Sequence, residues 1–279
     1  MRQVLRFAWV EVTCCLFAAL FFTGLALVRV VPLGPVSEGD ALFLWCLAVT
    51  LLLYVTGWET GREVAVIAAF HLVGLALELF KVHAGSWTYP KVGVATVGGM
   101  PLYSGFMYAS VGSYVCQAWR RFDLRIAGYR AVWTGVVAAA VYANFFTEHA
   151  LPDLRLPLAL VLLAVTARTT VWFTVGRRRY AMPLALSFVL IGFFLWLAEN
   201  AATFLDAWRY PDQSLSWTAV HPAKVGSWSL LVVVSVVLVA AIKATEGRLY
   251  GDEADRTVWT TGAYDLPDLQ REPAASRDQ

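Results

Sequence analysis

Apolar residues fall in long, nearly uncharged blocks separated by short polar stretches. A helix crossing a hydrocarbon core of about 30 Å needs about 20 mostly apolar residues, and somewhat fewer where its ends are aromatic. Blocks of this kind occur at 9–31, 41–58, 64–80, 101–119, 131–146, 156–175, 182–204 and 226–242. The pattern predicts an all-α integral membrane protein with about eight transmembrane helices, occupying residues 1–243. Residues 244–279 are polar, with Pro, Asp and Arg scattered through them, and are predicted to be a disordered cytoplasmic tail.

One stretch occurs twice. Glu78, Trp87, Tyr89, Pro90, Pro101 and Gly105 reappear without gaps as Glu199, Trp208, Tyr210, Pro211, Pro222 and Gly226. The offset is constant, since 199 − 78 = 121 and 226 − 105 = 121. Several of these identities are Trp, Tyr or Pro, which makes coincidence in an apolar chain a poor explanation and points to an internal duplication. Spans one to four and five to eight then form two halves, about 1–122 and 123–243. Each half makes an even number of crossings, so the halves are expected to be parallel repeats, related by a pseudo-two-fold axis along the membrane normal.

Composition agrees with the pattern: 59% of residues are hydrophobic and the mean hydropathy is +0.60. A net charge of +2 leaves no basic surface for nucleic acid. What basic charge there is collects in alternate loops, at Arg2 and Arg6, at Arg120, Arg121, Arg125 and Arg130, and at Arg177, Arg178 and Arg179. The opposite loops hold Glu38 and Asp40, then Glu148, Asp153 and Arg155, with isolated Lys81, Lys91, Arg209 and Lys224. By the positive-inside rule the arginine-rich ends are cytoplasmic, so both termini lie inside and both copies of the repeated loop face outward. The first apolar block is too long for a signal-peptide core and reads as an uncleaved span. Trp9, Trp58, Trp119 and Trp133 fall near span ends, as an interfacial aromatic belt requires.

Candidate chemistry centres on the duplicated acids. Glu78 and Glu199 each sit in an apolar run at the outer end of the third span of their half. A carboxylate there must face protein or water, and desolvation favours its protonated, proton-donating form. The competing role is a brace, in which each Glu accepts from backbone N–H groups or from a Trp indole of its own loop. His71 lies two helical turns before Glu78 on the same face; it reads either as a proton-relay partner or as a histidine bonded to a neighbouring carbonyl. Trp87, Tyr89, Trp208 and Tyr210 are interface anchors or an aromatic wall for an elongated ligand. Asn200, beside Glu199, joins the candidate binding residues. Arg168, placed within the sixth block, reads as a snorkelling side chain or as the holder of an anionic group. His83, His149 and His221 have no compact ligand spacing, so no metal is expected, and acid catalysis of this kind implies no cofactor.

Glu78-Leu-Phe-Lys-Val-His-Ala-Gly-Ser-Trp-Thr-Tyr-Pro90 and the run from Gly98 to Tyr114 resemble a bacterial multi-pass membrane family that carries only a domain-of-unknown-function label, DUF817. That resemblance covers the eight blocks, excludes the tail and implies a bacterial cytoplasmic (inner) membrane location. Gly85-Ser-Trp-Thr-Tyr-Pro90 followed by Gly99-Met-Pro-Leu102 is more distantly similar to membrane lycopene cyclases and carotenoid hydratases. That likeness implies polyene protonation and a role for Glu78. The cyclases' acid pair after the proline is replaced here by Leu102, Tyr103 and Ser104. Three functions follow: acid-initiated chemistry on an isoprenoid- or carotenoid-like lipid at Glu78 or Glu199; secondary transport through a central site between the halves; and a non-catalytic membrane scaffold. The lipid bilayer is the expected partner, and no oligomeric state follows from the sequence.

Overall fold

The computed structural model describes residues 2–90, 93–147, 152–245 and 264–265. In chain order the elements are α1 (Arg2–Cys14), α2 (Leu16–Val30), α3 (Glu38–Val55), α4 (Gly61–His83), β1 (Thr96–Val97), β2 (Met100–Pro101), α5 (Ser104–Arg121), β3 (Arg125–Ala127), α6 (Ala131–Thr147), α7 (Arg155–Thr166), β4 (Thr170–Val175), β5 (Arg178–Pro183), α8 (Leu184–Phe204), α9 (Lys224–Thr245) and β6 (Tyr264–Asp265). Local signals start the helices where the chain leaves its loops. The Ser37 hydroxyl accepts from the Asp40 N–H to cap α3. Thr60 and Glu63 form a reciprocal capping box on α4, with Thr60 N–H donating to Glu63 at 2.7 Å.

By length and composition, among the described residues α3, α4, α8 and α9 are long and apolar enough to cross a membrane, and the α1–α2 pair makes a fifth if its 62° bend is one broken span. The chain is therefore a membrane protein, and four or five of the eight expected spans are of that kind. The first block is two helices that break at Cys15. In α5 the sequence pattern was misleading in an informative way. Ser110, Ser113, Gln117 and Trp119 of this helix are buried, because α5 lies at the centre of the bundle against α1, α2, α4 and α9. A helix sheathed by other helices meets protein rather than lipid and can carry polar side chains. At 17 and 12 residues, α6 and α7 are short of a full crossing.

The largest departure is at 156–175. Helix α7 stops at Thr166, and Thr170–Val175 is a strand that pairs with β5 from Thr170↔Pro183 to Val175↔Arg178. The run from Thr169 to Val175 is dominated by β-branched and aromatic residues, whose stiff side chains suit a pleated strand better than a helix. The protein is thus mostly helical but not all-α: β3, β4, β5 and β6 form an antiparallel four-stranded sheet. Of the tail predicted to be disordered, Ala244 and Thr245 complete α9 and Tyr264–Asp265 is β6; the remainder lies outside the described residues.

The two ends of the bundle differ in character. At one end the sheet joins the arginine-bearing segments, with β3 pairing β4 and the N-terminal helix packing on β4. There the Phe7 ring meets Phe122 at 5.4 Å and Phe173 at 6.0 Å. At the other end lie the two repeated loops, 84–103 and 205–223. The first contains a tight hairpin in which Gly98 and Gly99 both adopt positive φ, as the turn requires. The loops touch in an isolated antiparallel bridge: Thr88 N–H donates to Arg209 at 3.0 Å and Arg209 N–H donates to Thr88 at 2.9 Å. These residues also stand 121 apart (209 − 88 = 121).

Packing between helices follows the same offset. α5 packs on α4 and α2, whereas α9 packs on α8 and α6; α2 meets α3 as α6 meets α7. Small residues let the partners close up. A Cβ on Gly74 would fall 2.5 Å from the Tyr108 ring, and one on Gly192 would fall 2.2 Å from Ser229 Oγ. Gly74→Leu is expected to overpack the α4–α5 contact at a cost of ~1–3 kcal/mol. Thermal unfolding of the detergent-solubilised protein would then show a lowered midpoint, and an unchanged midpoint would mean that the contact opens freely.

Candidate functional site

Both duplicated acids are buried just below the loop end, and each is a hub for aromatic donors. Glu78 is 2% exposed. Its Oε2 accepts from Trp87 Nε1 at 2.8 Å and from the Tyr89 hydroxyl at 2.5 Å, and its Oε1 accepts from the Tyr108 hydroxyl at 2.8 Å. Glu199, 3% exposed, accepts from the Tyr210 hydroxyl on Oε1 at 2.5 Å and from Trp228 Nε1 on Oε2 at 2.8 Å. The Tyr89 and Tyr210 bonds are equivalent under the offset of 121; the indole bonds are not. In the first half the indole comes from the loop, and in the second from α9.

Burial, reinforced by the neighbouring carboxylates, pushes the phenols of Tyr89 and Tyr210 well up from their ordinary range. They therefore keep their protons and remain donors throughout the physiological range. Each acid nails its loop to the helix that carries it, and the aromatic residues join the two hubs. The Trp87 ring stands edge-on to Tyr210 at 6.0 Å. Lys224 Nζ lies 4.6 Å from the centre of the Tyr210 ring, 5.9 Å from that of Trp87 and 3.3 Å from the Tyr210 hydroxyl. A cation on two aromatic faces, at the junction of two carboxylate hubs, is favourably placed.

Below the hubs an apolar crevice of about 40 Å³ separates α4 and α5 from α8 and α9, with Phe70, Leu77, Leu195 and Val232 on its walls. Tyr108 and Trp228, each a donor to one of the acids, also line it. The crevice is narrow in this conformation.

The other expected site residues are not drawn into this arrangement. His71 stacks on Phe106, with ring centres 4.4 Å apart, and its Nδ1 has no hydrogen-bond partner among the described residues; it is not among the donors to Glu78. Neither role expected of it, the relay or the carbonyl bond, is seen at Nδ1. Both ends of the Asn200 amide serve the backbone: Nδ2 donates to the Trp196 carbonyl at 2.8 Å, and Oδ1 accepts from Val220 N–H at 2.9 Å. Trp208 is the exception: it is buried in the apolar core and its indole donates to the Tyr210 hydroxyl. Arg168 is exposed in the turn between α7 and β4, so it does not lie inside a span; the helix that would have carried it there has already ended. In the expected belt, Trp9 and Trp133 are 70% and 62% exposed, whereas Trp119 is buried at 4%. No group of three His, Cys, Asp or Glu suited to a metal occurs among the described residues. His149 and Glu148 lie outside them.

Sequence reasoning missed Tyr108, Trp228 and a polar cluster at the arginine-rich end. Tyr108 and Trp228 carry no local signal, since only the packing of α5 on α4 and of α9 on α8 brings them to the acids. The cluster was partly legible in Thr60-Gly-Arg-Glu63, a capping-box pattern. Glu59, 1% exposed, accepts from Ser113 Oγ at 2.6 Å on Oε1, while Oε2 has no partner among the described residues. Gln117 Nε2 and an Arg120 N–H both donate to the Trp58 carbonyl, and Arg120 pairs with Glu63 at 3.3 Å.

Burial pushes the Glu59 carboxyl up from 4.5 to about 7. Between those values the folded chain holds a proton that the unfolded chain releases, so stability falls as pH rises across that window and then levels. The unfolding midpoint should accordingly drop between about pH 4.5 and 7, and the Glu59→Gln variant should lose most of that slope. An identical slope in the variant would locate the titration elsewhere.

The family described as "Protein of unknown function (DUF817)" matches residues 3–236. The "Uncharacterized protein YoaT" of Bacillus subtilis (strain 168) is 49% identical over 243 residues, covering 87% of this chain and 92% of that protein. Among solved structures, a mycobacterial Insig homolog from Mycobacterium vanbaalenii is similar, with a TM-score of 0.47 and 19% identity, covering 68% of this chain and 94% of its own. A cross-linked trimer of the same homolog gives 0.46 and 20% identity, covering 64% and 93%. These similarities bring no support for the likeness to lycopene cyclases and carotenoid hydratases.

Proposed function

We propose, for a chain that belongs to the DUF817 family, that the duplicated acids are structural and that the protein is a non-catalytic membrane scaffold of two equivalent halves. The observation that carries this reading is the saturation of both carboxylates by donors. Three donors converge on Glu78 and two on Glu199, an arrangement suited to an acceptor hub. A general acid needs its proton aimed at a substrate. Here each carboxylate oxygen is occupied by a Tyr or Trp donor, from the loop on one side and from α5 or α9 on the other.

On the same reading the chain makes eight passes between the two ends of the bundle, in halves of about 1–122 and 123–243 related by a pseudo-two-fold axis. The reciprocal bond between Thr88 and Arg209, the constant offset and the matching helix contacts support it. The axis runs through the bridge. The arginine-rich end and both termini face the cytoplasm, and the membrane is the bacterial cytoplasmic membrane. The short α7 runs within its half against α6, α8 and α9.

A second reading is favoured by one observation, the presence of Tyr108 and Trp228 on the walls of the apolar crevice. If the crevice widened to admit an isoprenoid chain, the group meeting it from the first half would be the Tyr108 phenol, with Glu78 behind it as proton reservoir. Relative motion of the halves about the same crevice would instead serve transport.

Glu78→Gln and Glu199→Gln test the scaffold. Each replaces an acceptor oxygen by an amide that faces donors, at ~1–3 kcal/mol. The unfolding midpoint should fall, while total lipid extracts from a deletion host carrying either variant should match those with wild type by mass spectrometry. A lipid that requires wild type and disappears with Glu78→Gln or Tyr108→Phe, at equal protein level, would sink the scaffold reading in favour of acid catalysis.

A further inference from the structure

The second repeated loop borders a polar cavity. Between it and the C-terminal ends of α2 and α8 lies a cavity of about 290 Å³, lined by Arg29, Asp206, Arg209, Gln213, Ser214 and Ser216. Asp206 accepts from Arg209 through both carboxylate oxygens and lies 3.7 Å from an Arg29 nitrogen. Two guanidinium groups thus share one carboxylate, leaving the lining with a positive charge and with N–H donors beyond those that Asp206 engages. Serine hydroxyls add neutral donors.

The backbone at this place accepts a conformation that its residue does not favour. Asp206 has φ +60°, a left-handed position where the residue 121 earlier is Gly85, at φ +71°. Glycine adopts that conformation freely and a residue with a Cβ does not, so aspartate here works against local structure in return for its carboxylate. The other differences agree. Where the second loop has Thr203, Arg209, Ser214 and Trp217, the first has Val82, Thr88, Gly93 and Thr96. The first loop is tied down by Asp40, which accepts from Val94 and Ala95 N–H at 2.9 and 2.7 Å. Bracing alone therefore needs neither arginine.

The rim of the cavity is apolar and exposed. Phe204 is 65% exposed, Leu215 fully and Trp217 45%. The Phe204 and Trp217 rings pack edge to face at 5.4 Å, and Trp217 Nε1 donates to Thr203 at 3.1 Å, which holds the indole in place. The rim lies at the end of α8, a helix apolar enough to cross the membrane, and the ends of such helices are where headgroups meet acyl chains. Arginine suits phosphoryl oxygens because its fork donates in pairs.

We propose that this cavity binds a phosphoryl anion carried by a lipid, with the headgroup of an anionic phospholipid against Arg29 and Arg209 and its chains along Phe204, Leu215 and Trp217. Asp206 holds the Arg209 fork in register. The proposal is independent of whether the buried acids brace or catalyse.

The test is calorimetric titration of the full chain in neutral detergent with dioctanoyl phosphatidylglycerol, dioctanoyl phosphatidylcholine and inorganic phosphate. Phosphatidylglycerol is expected to saturate one site, with phosphatidylcholine and inorganic phosphate each at least about tenfold weaker. Arg209→Gln and Arg29→Gln should each weaken phosphatidylglycerol about tenfold or more, as loss of a charge-assisted contact does. Leu215→Ser, at a fully exposed position that the fold does not use, should weaken it severalfold. Equal affinity for the two lipids overturns the proposal. So does inorganic phosphate binding as tightly as phosphatidylglycerol, which would make the site one for free anion. Should Arg209→Gln fail to fold, unchanged binding in both Arg29→Gln and Leu215→Ser overturns it equally.

Discussion

Two carboxylates that never reach water constrain the loop end of this protein. An ionisable group in an apolar bundle is tolerated only when its oxygens are fully engaged, and Glu78 and Glu199 are engaged by Tyr and Trp donors from their own halves. That requirement determines where the loops must lie. Trp87 and Tyr89 come back over α4, and Tyr210 comes back over α8 in the same way. Once both loops are pinned, their backbones meet at Thr88 and Arg209 and close the bundle at that end.

The opposite end is built on a different principle. There the polar groups belong to the helices' last turns and to the sheet that gathers β3, β4 and β5. Arginines supply donors to carbonyls and carboxylates around Glu59 and Glu63, and aromatic rings from the N-terminal helix fill the gap beneath the strands. Between the two ends the central helices α5 and α9 pack against each other. Their small residues allow close approach, and only a narrow apolar crevice remains.

The two loops differ in their side chains. Positions equivalent in the backbone are not equivalent in chemistry: Gly85 against Asp206, Thr88 against Arg209 and Gly93 against Ser214. A duplicated brace explains what the two loops share. It does not explain Asp206 and Arg209, at the edge of an exposed apolar rim, with Asp206 held there against backbone preference.

Much was legible in the amino-acid order. Apolar blocks located the helices now seen as α3, α4, α8 and α9, and the acids announced themselves as the polar exceptions within those blocks. Local rules sufficed because hydrophobic length, capping and repetition are properties of neighbours along the chain. The polarity of α5, the early end of α7, the sheet and the burial of Trp119 were not legible, since each depends on whether a segment meets lipid, protein or another strand. The donors Tyr108 and Trp228 escaped for the same reason. They lie far along the chain from the residue they serve in the case of Glu78 and Glu199 alike, and only helix packing brings them within hydrogen-bonding distance. The amino-acid order determined which groups had to be hidden from lipid; the tertiary structure decided what they were hidden against, because a buried polar atom takes its partner from whatever the packing places beside it.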